Sequence, residues 1–172
     1  HIGMFDALIP LRLLPKKILK FTTIPAATER WEKDSKIISF IMDFFVGAYP
    51  FANQGPWIKA SMEATGELAD QAYTFVIAPE GRFQRENRLQ PFQTGLGFLA
   101  KELKLPVIMV KIDENYREIW PSPKTNDHAA DPRFYKPLKK STVKIKIKSA
   151  DINPSLSEEK LTKNIQKQFE NL

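Results

Sequence analysis

Two short segments hold the residue types from which chemistry can be built. The first is His1-Ile2-Gly3-Met4-Phe5-Asp6. A neutral imidazole is the usual general base near pH 7, and it needs one ring nitrogen tied to an orienting acceptor. A carboxylate five residues further on supplies that tie if the chain turns between the two. The alternative is a chance spacing at an N-terminal remnant. The second segment is Pro79-Glu80-Gly81-Arg82-Phe83-Gln84-Arg85-Glu86-Asn87-Arg88-Leu89-Gln90-Pro91-Phe92, which leads through Thr94-Gly95 into a helix start. Arginine forks and helix-start amides both suit phosphate oxygens. The alternative here is a solvated loop whose arginines pair with Glu80 and Glu86.

The elements that must carry these segments alternate between the strand and helix periods. Phe5 to Leu14 reads as a short helix stopped by Pro15, and Ile18 to Ile24 as a strand ended by Pro25. Residues 26–33 and 36–46 look helical, and 48–51 suits a very short strand. A helix is expected from Pro56 to about Gln71. Tyr73 to Ala78 is a continuous apolar run of the kind covered on both faces in a central strand. Gly95 to Leu103 reads as a helix and Val107 to Ile112 as a second buried strand. Thr142 to Lys148 alternates Val143, Ile145 and Ile147 with Lys144, Lys146 and Lys148, so a lysine-faced strand near an edge is expected. Residues 151–172 end in an amphipathic helix over 157–169, capped by Ser155 or Ser157. This order implies an α/β fold, a mainly parallel central sheet flanked by helices, with one domain over 1–172. In such sheets, ligands bind beyond the carboxyl ends of the strands. The Pro79–Pro91 loop is therefore the first place to look.

Composition narrows the partners. The 172 residues are 42% apolar and 27% charged, enough for a packed core, which excludes disordered, collagen-like and disulfide-scaffold classes. Lys and Arg number 26 against 20 Asp and Glu, a formal charge of +6 that favours phosphorylated metabolites, a membrane surface or nucleic acid. Nucleic acid is disfavoured because the aromatics sit in apolar runs rather than between cations. The absence of cysteine removes thiol catalysis and thiolate metal sites. His128 has no second His near it, so no metal site is expected. No stretch reaches the roughly 20 apolar residues of a membrane-spanning helix. Ile37 to Tyr49, the longest apolar run, is broken by Asp43 and reads as a buried or interfacial helix. With Leu8 to Leu14, and Lys16, Lys17 and Lys20 beside it, it is a candidate for contact with a lipid interface.

Taken in order, the segments resemble the glycerolipid acyltransferases of the lysophosphatidate acyltransferase type. The H-x-x-x-x-D hallmark is matched by His1 and Asp6. The motif usually written FPEGTRS, with its PFKxG tail, is similar to Ala78-Pro79-Glu80-Gly81-Arg82-Phe83-Gln84 and Pro91-Phe92-Gln93-Thr94-Gly95. Tyr49-Pro50-Phe51-Ala52-Asn53 resembles the second motif, and Leu105-Pro106-Val107-Ile108-Met109-Val110 the fourth. The likeness covers about residues 1–150. The departures are specific: Arg82 stands at the family's Thr, Phe83 at its Arg, Asn53 at the Arg of the second motif, and Met109 at a Pro.

The resemblance implies transfer of a fatty acyl group from acyl-CoA or acyl carrier protein to a hydroxyl of a glycerophospholipid precursor or lysophospholipid. His1 and Asp6 would be catalytic, and Glu80, Gly81, Arg82, Arg85 and Asn53 would bind substrate. The acyl thioester serves as co-substrate, with no further cofactor and no metal. The expected location is cytoplasmic, peripheral at the inner face of a membrane. Two alternatives follow from Asn53 and Phe83: a non-catalytic lipid- or carrier-binding relative, or an acceptor that is not a glycerolipid. Because the chain begins at His1, it is expected to be an N-terminally truncated member.

Overall fold

The structure, a computed structural model, describes residues 8–27, 47–52, 55–81, 89–113 and 142–172. These residues belong to two compact units, one within Ala7–Ile77 and the other within Ala78–Leu172.

In the first unit, helix α1 (Leu8–Leu13) is followed by Pro15, which occupies the N-cap of a one-turn helix α2 (Lys16–Leu19). The Pro15 carbonyl accepts from the amides of Ile18 (2.9 Å) and Leu19 (3.0 Å). Ile18 and Leu19 are therefore helical, which corrects the expected strand start at Ile18. The β-branched run becomes strand only at β1 (Thr22–Ala27). β1 lies between two parallel neighbours, β2 (Ala48–Phe51) and β3 (Thr74–Phe75), with Ile24 opposite Ala48 and Thr23 opposite Phe75.

Pro25 does not end β1 as expected, and the hydrogen-bond alternation explains why. The Ile24 amide donates toward β2, to the Gly47 carbonyl, whereas Phe21 and Thr23 accept from the Thr74 and Val76 amides on the β3 side. Pro25, two residues beyond Thr23, faces the β3 side, where the next rung would need the N–H that proline lacks. Pairing on the β2 side continues to Ala27 opposite Phe51, while the β3 ladder stops at Phe75. The run Tyr73–Ala78 is thus half-buried and pairs over only two residues. The central strand of the described sheet is β1, not this run. Ala26 and Ala27, expected to be helical, are strand; the rest of the two helices expected over 26–33 and 36–46 lies outside the described residues.

Helix α3 (Ile58–Asp70) begins just past Pro56 and braces the end of β2. The Tyr49 hydroxyl lies 2.8 Å from Thr65 Oγ1, and the Ala52 amide donates to Ser61 Oγ at 2.8 Å. Ser61 and Thr65 are one helical turn apart on the buried face. The helix ends with the Tyr73 amide on the Leu68 carbonyl and the Ala72 amide on the Ala69 carbonyl, leaving Ala72 at φ 61°.

The second unit contains α4 (Gly95–Glu102), β4 (Ile108–Ile112), β5 (Ile145–Ser149) and α5 (Glu158–Glu170). Its core is Phe92, Ala100, Met109, Leu161 and Ile165. Burial of a Leu or Ile side chain contributes roughly 1.5–3 kcal/mol, so the α5 stripe of Leu161 and Ile165 is a main source of its stability. Ser157 caps α5, accepting from the Lys160 amide, as its position suggested.

β4 and β5 pair antiparallel, with Met109 opposite Lys148 and Lys111 opposite Lys146. Cross-strand partners share a face. Met109 is 4% exposed and packs with Leu161 and Ile165, and Lys111 Nζ donates to the Glu170 carbonyl. Helix α5 therefore packs against the Met109 side of β4, while Lys146 and Lys148 on the same face of β5 stay exposed. Ile108 and Ile147, on the other face, are 62% and 56% exposed. This corrects the expectation of a buried Val107–Ile112 strand, while the lysines of β5 are exposed as a lysine-faced edge strand implies. Alternation separates two faces but does not say which one a helix will cover. Overall the fold is mixed α/β, with a three-stranded parallel sheet flanked by helices.

Candidate active site

Ala78-Pro79-Glu80-Gly81 forms a turn closed by the Gly81 amide on the Ala78 carbonyl at 3.0 Å. Proline in second place presets the backbone dihedral of such a turn. Gly81 sits at φ +66°, where a Cβ would lie 3.0 Å from Gln93 Cγ, so both conformation and space call for glycine.

Glu80 is 2% exposed, which for a carboxylate demands hydrogen-bond partners. Its Oε2 accepts from the Gln90 amide at 2.9 Å, and its backbone carbonyl accepts from Gln93 Nε2 at 3.3 Å. The Gln93 amide in turn donates to the Pro79 carbonyl at 2.8 Å. The turn and the segment Leu89–Gln93 are thus joined side by side, and residues 82–88 connect them in sequence.

The start of α4 is less open to an anion than its position suggested. The Leu96 amide donates to the Gln93 carbonyl and the Gly97 amide to Thr162 Oγ1, each at 3.0 Å. Two of the four free amides of a helix start are therefore already engaged. The Phe92 amide, just upstream, donates to Gln166 Oε1 at 3.0 Å, and the Phe92 ring meets Phe169 edge-on at 5.5 Å between centroids.

Of the residues singled out from the sequence, Glu80 and Gly81 stand together in this turn. His1, Asp6, Asn53, Arg82 and Arg85 lie outside the described residues. Ala52, the neighbour of Asn53, is buried and held by Ser61. Sequence reasoning missed Gln90, Gln93, Thr162 and Gln166. A signal for the last two existed: Thr162 and Gln166 follow Leu161 and Ile165 by one residue each, so a polar pair runs beside the apolar stripe at the same four-residue spacing.

Two titrations are displaced. Burial pushes the Tyr49 hydroxyl above its ordinary value, with the Thr65 contact opposing it. The Lys163 ammonium, hydrogen-bonded and attracting, holds the exposed Glu159 carboxyl below its usual range. Among the described residues no cluster of three His, Asp or Glu could hold a metal ion, and no helix is long and apolar enough to cross a membrane.

Comparison with known proteins gives one match. Residues 1–113 fit the family model described as Acyltransferase, a span that includes the H-x-x-x-x-D segment, the Glu80–Gly81 turn and Pro91-Phe92. Neither the curated proteins nor the solved structures returned a match. With 113 of its 172 residues matched, the chain belongs to the acyltransferase family, the glycerolipid acyltransferases.

Proposed function

We propose that this acyltransferase moves a fatty acyl group from acyl-CoA or acyl carrier protein to a hydroxyl of a glycerophospholipid precursor or lysophospholipid. The observation that carries the reading is the family match over 1–113, a span that includes His1, Asp6 and the Glu80–Gly81 turn. In the proposed reaction His1 removes the acceptor hydroxyl proton as the oxygen attacks the thioester carbonyl. Asp6 fixes the imidazole tautomer and stabilises the imidazolium that forms. The thiolate leaves with the imidazolium proton, so no acyl-enzyme intermediate is needed. Arg82 and Arg85 meet the acceptor's phosphate by charge-assisted hydrogen bonds, with Glu80 and Gly81 shaping the turn from which they depart and Asn53 contributing to acceptor binding.

Attachment to a membrane surface is supported by the α1–α2 region. Leu13, Ile18, Leu19 and Phe21 are exposed, and Arg12, Lys16, Lys17 and Lys20 accompany them. Apolar insertion and attraction to anionic lipid reinforce each other at such a surface.

Mass-spectrometric product analysis tests the reaction, with both donors offered against glycerol 3-phosphate, 1-acylglycerol 3-phosphate and lysophospholipids. The purified chain should form acylated product. His1→Ala and Asp6→Ala should each reduce transfer by about 10²–10⁴-fold at unchanged circular dichroism. Full activity in either variant would refute the mechanism. Co-sedimentation with phosphatidylserine vesicles, lost with phosphatidylcholine vesicles, is expected for surface attachment.

A further inference from the structure

The first unit exposes large apolar side chains in two places, and its topology puts them at opposite ends of the parallel sheet. The chain leaves β2 at Phe51, at the carboxyl ends of the strands, and enters β3 at Thr74, at their amino ends. Helix α3 makes that return: Ser61 meets the Ala52 amide and Thr65, one turn later, meets the Tyr49 hydroxyl. Its 13 residues, at a rise of 1.5 Å each, span about 20 Å. Trp57, 71% exposed, and Ile58, 39% exposed, stand where α3 starts, at the carboxyl end. The α2 turn stands at the amino end. The Ile18 carbonyl accepts from Thr22 Oγ1 at 2.8 Å, and the Phe21 carbonyl from the Thr74 amide at 2.7 Å. The Phe21 ring meets Tyr73 there, edge-on at 5.8 Å between centroids.

Exposure and residue type alone would name Trp57 as the lipid anchor, since tryptophan favours membrane interfaces. Charge decides otherwise. Residues 8–27 hold Arg12, Lys16, Lys17 and Lys20 and no Asp or Glu. All four cations are exposed, interleaved with the exposed Leu13, Ile18, Leu19 and Phe21. Helix α3, by contrast, sets Lys59 against Glu63, Glu67 and Asp70, and Lys59 Nζ already lies 3.6 Å from Glu63 Oε1. The amino end alone joins apolar side chains to an excess of positive charge.

We propose that the first unit meets an anionic lipid bilayer with the amino ends of its strands downward. Leu13, Ile18, Leu19 and Phe21 enter the interface, and Arg12, Lys16, Lys17 and Lys20 meet headgroup phosphates. Trp57 and the carboxyl ends of the strands then face water, about one α3 length from the surface. This rests on the surface attachment proposed above and adds its orientation; it does not depend on the acyl-transfer chemistry. Each cation near such a surface is worth about fivefold in affinity, so the four together favour anionic over neutral lipid by on the order of 10²–10³.

The chain contains no cysteine, so a single introduced thiol can be labelled without background. Leu19→Cys and Trp57→Cys full-length chains, each carrying a nitrobenzoxadiazole fluorophore, are titrated with phosphatidylserine-containing vesicles. The probe at 19 should brighten, shift to the blue and be quenched by nitroxide-labelled lipid, while the probe at 57 changes in none of these. Ile18→Cys replaces Leu19→Cys if circular dichroism shows that variant misfolded. In unlabelled chains, Lys16→Gln, Lys17→Gln and Lys20→Gln should each weaken vesicle binding about fivefold, and Lys59→Gln and Trp57→Ser should leave it unchanged. A response at 57, with or without one at 19, overturns the orientation, as does binding indifferent to the charges at 16, 17 and 20. A wild-type chain that fails to sediment with the vesicles overturns the surface attachment itself, and the orientation with it.

Discussion

Replacing Gly97 by alanine sets helix propensity against packing, and the structure decides the sign. Within a helix, alanine is favoured over glycine by about 1 kcal/mol, so propensity alone makes the substitution stabilising. A Cβ at Gly97, however, would meet the Glu158 carbonyl oxygen, lie 2.5 Å from Thr162 Oγ1 and 3.0 Å from the Glu158 carbonyl carbon. The neighbours are largely backbone of α5, which cannot rotate out of the way, so the two helices must separate. Overpacking of this kind costs about 1–3 kcal/mol. Separation also strips the Gly97 amide of Thr162 Oγ1, adding about 1–3 kcal/mol for a buried donor left without its partner. Set against the propensity gain, the net destabilisation is about 1–5 kcal/mol. Urea unfolding followed by circular dichroism measures it, with the midpoint falling at unchanged m-value. Gly66→Ala in α3 is the control, since its Cβ would meet nothing within 4 Å, and it should gain about 0.5–1 kcal/mol. A Gly97→Ala chain as stable as wild type would refute the packing argument.

Other consequences follow from local geometry. Ala72 occupies the left-handed position after α3 at φ 61°, so Ala72→Gly should stabilise by about 0.5–1 kcal/mol in the same urea assay, the strain relief exceeding the added unfolded-state entropy. Tyr49 has a hydroxyl pKa raised in the folded state, so its contribution is fully present below the unfolded value of 10.0 and is lost as pH rises through the folded value. Wild type should therefore lose stability relative to Tyr49→Phe above about pH 10, and ultraviolet difference titration should show one tyrosine ionising late. Glu159, held low by Lys163, contributes above the usual Glu range and loses that contribution as pH falls through its folded value; Lys163→Ala should raise the Glu159 titration in a carboxyl-resolved NMR experiment.

Much of the local structure was legible in the chain itself. Pro79, Glu80 and Gly81 after an apolar run announce a turn, and Ser157 before an amphipathic stretch announces a helix start. Each depends on residues within a few positions of one another. The same holds for the α/β alternation and for the family likeness, which is a matter of residue types in order along 1–113. Positions such as Ile18 and Pro25 misled, because their roles depend on which neighbour a backbone group faces. Pro25 is tolerated in β1 only because β3 ends on that side, a fact held by residues about fifty positions away.

Tertiary structure alone decided the rest. It chose the face of β4 that α5 packs against, since periodicity divides a strand into two faces without naming their covers. It made Gly97 a contact point rather than a helix defect, and turned Thr162 and Gln166 from helix-surface polars into partners of the Gly97 and Phe92 amides. Those pairs span 65 and 74 residues, and only the packing of α5 on the core brings them within hydrogen-bond reach.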